Sequence, residues 1–239
     1  MDFIIAHRGN SAHAPENTLA AFLQVPGTGA KAVELDVHFC ADKVAVVLHD
    51  EWVDRTTNGQ GPVDALSLEG VKALDAGSWF APAFAGERIP TLMETLNALI
   101  TTGMWVNIEI KTDVRPQAGL VKAVLNDVVR SSMGNRVLLS GFRHEDVLQA
   151  MRLNPGLPCA LLFDVGQGAM APALAQQHGP EGVHLFDGDV TEALVTECHQ
   201  AGAKVRVYTV DDPERAKLLK TWGVDGIFTN DPALLAKAL

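Results

Sequence analysis

"AVELDVHFCADKVAVVLHD", residues 32 to 50, contains two short apolar runs that end in charge, with only "HFCADK" between them. A crossover between parallel strands needs roughly a dozen residues, so here the chain must turn back in extended form. Outward from this pair, the same kind of short apolar run recurs along the whole chain. Ala32–Val37 and Val44–Leu48 are joined by Phe3–Ala6, Trp105–Ile110, Val137–Gly141, Ala160–Phe163, Gly182–Leu185 and Val205–Val210. Between most of them lie amphipathic segments such as "LAAFLQV", "TLMETLNALI", "GLVKAVLNDVV", "EDVLQAMR", "TEALVTECHQAG" and "ERAKLLKTWG". Strand–helix alternation repeated about eight times predicts an α/β fold, a TIM-type (β/α)8 barrel ringed by helices. A doubly wound open sheet is the alternative that periodicity alone leaves open.

The stretch from Glu51 to Pro90 is too long for an ordinary strand-to-helix loop and is rich in Gly, Thr and Asn. It predicts a small insertion after the third strand, residues 51 to 90, covering one end of the barrel. No repeat or linker divides residues 1 to 239, so one barrel domain is expected.

Composition narrows the partners. The 239 residues are 47% hydrophobic and carry a formal charge of -10. That apolar fraction suits a sizeable core, and the acidic balance without a basic run argues against nucleic acid. A single anionic small molecule held by a local cation remains compatible with it. Cys40, Cys159 and Cys198 form no CxxC pair and read as free thiols. No apolar run reaches the roughly 18 residues of a membrane span, and the first strand follows Met1 too closely for a signal peptide. The expectation is a cytoplasmic protein without membrane insertion. Apolar helix faces would also serve a homo-oligomer, which periodicity does not separate from barrel packing.

In a parallel barrel the active site lies at the carboxyl ends of the strands. The first strand ends in His7-Arg8-Gly9, and the second carries Glu34 and Asp36. The third ends in His49-Asp50, and the fourth carries Glu109 and Lys111. Residues two apart on a strand face the same way. If those faces point inward, the three carboxylates Glu34, Asp36 and Glu109 converge, and their repulsion implies a bound cation. All-oxygen ligation suits Mg²⁺ or Ca²⁺ better than Zn²⁺. Of His7 and His49, one can accept a proton while the other donates. Arg8 and Lys111 can hold phosphate oxygens, and Gly9 would allow close backbone approach to a ligand.

Taken singly, each of these residues has a structural explanation. A strand-end histidine can be core, Glu109 with Lys111 can be an ion pair, and Arg8 can cap a helix. Together they fall at the ends of neighbouring early strands, and the late strands show no comparable set. In "PENT", Asn17 or Thr18 is a good helix N-cap, and Glu16 is placed to support the metal site from behind.

The ordered series "AHRG", "PENT", "ELDV", "VVLHD", "DRTTNG", "DAGSWF", "ERIPTL", "IEIK" and "GVDGIFTNDP" resembles the glycerophosphodiester phosphodiesterases, from about residue 3 to 232. The resemblance implies a distorted (β/α)8 barrel with its insertion after the third strand. It also implies a divalent cation, Mg²⁺ or Ca²⁺, on Glu34, Asp36 and Glu109. His7 and His49 would be the acid–base pair, and Arg8 and Lys111 the phosphate-binding residues. The implied reaction is hydrolysis of a small-molecule glycerophosphodiester to an alcohol and sn-glycerol 3-phosphate, by attack of the 2-hydroxyl or of water. Departures from the family pattern fall at Tyr208, where many relatives carry Trp, at Gly141, and at Thr229-Asn230-Asp231. Phe142, Tyr208, Trp79 and Phe80 are candidates for lining the pocket. A phospholipase C- or sphingomyelinase D-like enzyme, a silent phosphate-binding protein and a metal-dependent lyase are the competing functions.

Overall fold

The computed structural model describes residues 3–239. Its first strand, β1 (Ile4–Ala6), leads through α1 (Leu19–Gln24) into β2 (Ala32–Phe39), which turns back as β3 (Ala45–Val47). After α2 (Leu68–Ala73) and α3 (Leu92–Leu99), the order is β4 (Trp105–Ile110), α4 (Leu120–Arg130), β5 (Val137–Gly141) and α5 (His144–Leu153). Then come β6 (Cys159–Phe163), α6 (Ala171–His178), β7 (Gly182–Phe186) and α7 (Glu192–Gln200). The chain ends with β8 (Lys204–Tyr208), α8 (Pro213–Thr221), β9 (Gly226–Thr229) and α9 (Pro232–Ala238).

Eight strands close a parallel ring in the order β1, β2, β4, β5, β6, β7, β8, β9. The ring is a TIM barrel, and the open doubly wound sheet is excluded by the β1–β9 and β1–β2 pairings that complete it. Two strand expectations need correction. Val44–Leu48 contains a strand, but β3 runs antiparallel to β2 and lies outside the ring. The eighth stave is instead "GIFT", Gly226–Thr229, a stretch not expected to be a strand from its short apolar run. The first difference arises because local pattern reports that a segment is extended but not which neighbour it pairs with, and the second because Ile227 and Phe228 alone make too short an apolar run to stand out.

All eight residues of β2 are buried, because both of its faces are covered. Val33, Leu35 and Val37 join the layer between barrel and helices, together with Phe22 of α1 and Leu92, Leu96 and Leu99 of α3. The helices supply the matching stripe. On α4 the buried residues are Leu120, Val121, Val124, Leu125 and Val128, one face at helical spacing. A Thr91–Glu94 capping box starts α3, and the Thr18 hydroxyl accepts the Ala21 amide to start α1. Thr18, not Asn17, is therefore the cap in "PENT".

Inside the ring a smaller cluster contains Ile5, Ala32 and Phe228. The lower end is filled by Arg206, 2% exposed, whose two terminal nitrogens donate to Glu181 at 2.8 and 2.9 Å. Residues 51–90 carry α2 and pack Val53, Val63, Val71 and Ile89 against Cys40, Val46 and Leu48, a second small core. All three cysteines are free and buried. No helix among the described residues is long and apolar enough to cross a membrane.

Candidate active site

The carboxyl ends of the early strands meet around one cavity of about 350 Å³. His7, Arg8, Glu34, His49, Glu109 and Lys111 form its polar side, and Phe142 and Tyr208 lie on the other. These expected residues are thus brought together from β2, β4 and β8 and from the turns that follow β1, β3, β4 and β5. Trp79 and Phe80 are the exceptions and do not line it. They sit in the 51–90 segment, where the Trp79 indole donates to the Ala76 carbonyl at 2.9 Å and its ring meets Phe80 edge-on. Their aromatic character serves the local packing of that segment.

The carboxylates behave as their positions predict. Glu34, Asp36 and Glu109 are at most 8% exposed, and each offers an oxygen within 4.8 Å of the other two. Burial and the neighbouring charges of Asp36 and Glu109 push Glu34 well above the usual carboxylate range. Burial likewise raises Glu109, against the pull of Lys111. Asp36 goes the other way. Burial would raise it, but the charges of Arg8, His49 and Lys111 and a hydrogen bond from Asn17 hold it below its ordinary value. One oxygen, Glu34 Oε1, is buried without any donor. An unpaired buried carboxylate oxygen in an all-oxygen cluster fits a hard divalent cation.

Backbone geometry holds the cluster in place. Arg8 adopts φ +56°, a conformation rare for a residue with a side chain, and this turn directs its amide to Glu34 Oε2 at 3.0 Å. Asn17 also has positive φ, and its side chain donates to Asp36 Oδ2 at 2.8 Å. Gly9 serves packing and not ligand approach, since a Cβ there would stand 2.7 Å from the Ala21 Cβ in α1.

The two histidines differ in what holds them. His7 Nδ1 lies 2.8 Å from Asn230 Oδ1. The Asn230 amide is oriented by donating to Asp211 at 2.7 Å, so its oxygen faces the imidazole and His7 carries its hydrogen on Nδ1. That leaves Nε2 as an acceptor, 4.0 Å from Glu34 Oε2. Burial and the Arg8 charge lower the His7 pKa to about 4, so the ring is neutral at physiological pH. His49 Nδ1 instead lies 2.6 Å from Asp50 Oδ1. Burial would raise Asp50, but hydrogen bonds from Arg55 and His49 bring it down to about 2. A fixed carboxylate on Nδ1 sets the orientation of the ring and turns its Nε2 toward the cavity.

Arg55, from the 51–90 segment, ties these parts together. Its guanidinium donates to Asp50 at 2.6 and 3.1 Å and to both oxygens of Glu16 at 2.8 Å. Glu16 also accepts from Arg8 at 3.0 Å. Glu16 therefore supports the cation Arg8, while Asn17 beside it supports the carboxylate Asp36. Lys111 donates to Glu109 at 2.7 Å, with its ammonium 3.5 Å from His49 Nε2. Burial would lower Lys111, but Glu109 and Asp36 outweigh it and hold the ammonium firmly charged. Asn17, Arg55 and Asn230 had no expected part in the site. The only advance signal was positional, since each lies inside a motif quoted above.

The model of the glycerophosphoryl diester phosphodiesterase family matches residues 7–234, nearly the whole chain. The chain belongs to that family. A glycerophosphodiester phosphodiesterase of Caldanaerobacter subterraneus subsp. tengcongensis is 39% identical over 233 residues, covering 97% of this chain and 95% of that one. Among solved structures, an Oleispira antarctica phosphodiesterase in complex with the product sn-glycerol-3-phosphate superposes with a TM-score of 0.88 at 30% identity. That match covers 100% of this chain and 96% of the other. The Agrobacterium tumefaciens glycerophosphodiester phosphodiesterase matches with a TM-score of 0.86 at 31% identity, covering 99% and 100%. Family membership makes the protein a phosphodiesterase-type hydrolase.

Proposed function

We propose that the protein hydrolyses small-molecule glycerophosphodiesters, among them glycerophosphocholine and glycerophosphoethanolamine, to sn-glycerol 3-phosphate and an alcohol. The observation that carries this is the pair of histidines with opposite partners, an amide oxygen on His7 and a carboxylate on His49, facing one cavity with three converging carboxylates. The glycerol 3-phosphate complex of the Oleispira relative supports the same substrate class.

Glu34, Asp36 and Glu109 would hold the cation, Mg²⁺ or Ca²⁺, which when bound supplies Lewis-acid polarisation of the phosphoryl group. The chain's own residues do the rest. Arg8 and Lys111 orient the phosphate oxygens and stabilise the charge that grows on them. His7 Nε2, neutral and unprotonated, takes the proton of the attacking glycerol 2-hydroxyl. His49, steadied through Nδ1 by Asp50, is the partner that delivers a proton from Nε2 to the departing alcohol oxygen. Water then opens the cyclic phosphate with the two roles reversed. Direct attack by water would use the same two histidines.

The test is release of glycerol 3-phosphate from glycerophosphocholine and glycerophosphoethanolamine, first after EDTA treatment and then with Mg²⁺ or Ca²⁺ restored. Release that depends on the cation is the expected result. No release by folded, cation-loaded protein would overturn the substrate class. A lipid diester is the second substrate class to assay, because Trp52 and Val114 stand 53% and 73% exposed around a neighbouring recess that shares His49 and Lys111 with the cavity. Turnover of lysophospholipid in preference to glycerophosphocholine would move the assignment there.

A further inference from the structure

The cavity has two unlike walls. Glu34 lies on β2 and His184 on β7, which stand four strands apart in either direction round the ring and so face each other across the barrel. The β7 side is otherwise apolar, with Leu162, Phe186 and Phe228. Within it His184 is 1% exposed, and neither ring nitrogen has a hydrogen-bond partner. The Phe228 ring leans on the imidazole at 4.9 Å between centroids. Asn107 repeats the pattern on β4. Its amide nitrogen donates to Ser140 Oγ at 2.9 Å, while its Oδ1 is buried, unpaired and on the wall of the same cavity.

Buried polar groups without partners are rare in native proteins, and two that line one cavity, Asn107 beside the acidic strands and His184 opposite, point to a ligand between them. The chemistry of that ligand is restricted. Burial and the nearby Arg206 charge hold His184 far below its ordinary pKa, so its ring is neutral, with one donor and one acceptor. An ammonium would meet the Arg206 charge there, and an anion would meet the Asn107 oxygen. A hydroxyl can both give and take a hydrogen bond, which matches what the wall presents. Arg206 itself gives both terminal nitrogens to Glu181.

We propose that His184, together with Asn107, receives the terminal hydroxyl of the substrate's glycerol moiety, the one not engaged at phosphorus. His184 is then a specificity-determining residue of the far wall. This rests on the substrate class proposed above. With phosphate at the Arg8–Lys111 end, the glycerol carbons run across the barrel against Phe228, and the free hydroxyl arrives at β7. A site whose buried polar groups expect a hydroxyl rejects an analogue that lacks it.

The experiment compares glycerophosphocholine with its analogue in which the terminal CH2OH is replaced by methyl. The native protein should favour the hydroxyl-bearing diester by roughly 10- to 100-fold in kcat/KM. His184→Phe should lower kcat/KM for glycerophosphocholine, mostly through KM, by clearly more than for the analogue, so that the preference between the two collapses. His184→Asn, which keeps a donor and an acceptor, should recover part of the preference. Equal losses on both substrates, or no preference in the native protein, would overturn the proposal and leave His184 holding water only. Should His184→Phe fail to fold, binding to the native protein decides. The protein should bind sn-glycerol 3-phosphate more tightly than 2-hydroxypropyl phosphate by calorimetry, and equal affinity overturns the proposal. The failures are distinguishable. Absence of turnover on any glycerophosphodiester defeats the substrate class, whereas turnover without hydroxyl preference defeats only the role of His184.

Discussion

The two ends of the barrel interior each bury charge, and they treat it in opposite ways. At the lower end Arg206 meets Glu181 through two short bonds, and Lys204 closes on the same carboxylate at 3.0 Å. At the upper end Glu34, Asp36 and Glu109 crowd together with one oxygen bare, and Arg8 divides its charge between Asp36 and Glu16. A buried charge whose partner comes from the chain itself is costly to unpair, so that pairing serves the fold. Buried charge left unanswered is an expense to the fold that a ligand can offset, and it marks the functional end.

That contrast can be broken most severely at the upper end. Glu34→Gln or Asp36→Asn should abolish glycerol 3-phosphate release and weaken cation binding. Glu34→Gln should at the same time raise thermal stability in EDTA, because it removes a charge that the cation-free fold disfavours. A fall in stability would place Glu34 with the structural pairs. His49→Ala should cost roughly 10²–10⁴-fold in turnover while cation binding by calorimetry stays near native. Near-full turnover would remove His49 from the proposed mechanism.

Breaking the lower end should do the reverse. Glu181→Ala leaves the Arg206 guanidinium buried without its partner, which should cost about 3–5 kcal/mol in denaturant unfolding. Turnover by the fraction that remains folded should persist. The same pair gives a pH dependence. Burial would raise Glu181, but Arg206 and Lys204 bring it down to about 2. Its contribution to stability is therefore complete above the ordinary Glu value and is lost as pH falls toward about 2. The upper end has the opposite sign, since Glu34 and Glu109 are raised. In EDTA their stabilising effect is present at acid pH and fades as pH rises through their elevated values. Added cation should accordingly raise the melting temperature more at pH 7.5 than at pH 5.

Arg55→Gln should give the smallest effect. It cuts the links to Asp50 and Glu16 but leaves both histidines and every carboxylate in place. A loss in kcat of about tenfold is expected, since its guanidinium is 45% exposed and its ion pairs are partly screened. Loss comparable to His49→Ala would show that Asp50 depends on Arg55 for its position.

Much of the upper end was legible before folding, because two-residue spacing on a strand aligns Glu34 with Asp36 and Glu109 with Lys111 whatever the strands pair with. The partners of His7 and His49 were not equally legible. Asp50 adjoins His49 in the chain, whereas Asn230 reaches His7 from 223 positions away. Asn17 read as a cap because Asn and Thr are both good caps, and only the positive φ of Asn17 sends its amide to Asp36. His184 gave no signal at all. A histidine in an apolar strand is ordinary until the wall opposite is known.

The sequence by itself determined the alternation of strands and helices, the return of β2 into β3, and the acidic, histidine-flanked set at the early strand ends. These follow from side-chain periodicity and loop length, which act within a few residues. Only the tertiary structure decided that β9 and not β3 completes the ring, and that Trp79 and Phe80 pack within the 51–90 segment. It alone showed that His7 is held neutral while His49 rests on a carboxylate, and that His184 faces the acidic cluster across the barrel. Those properties depend on burial and on contacts between distant segments, which exist only once the ring has closed.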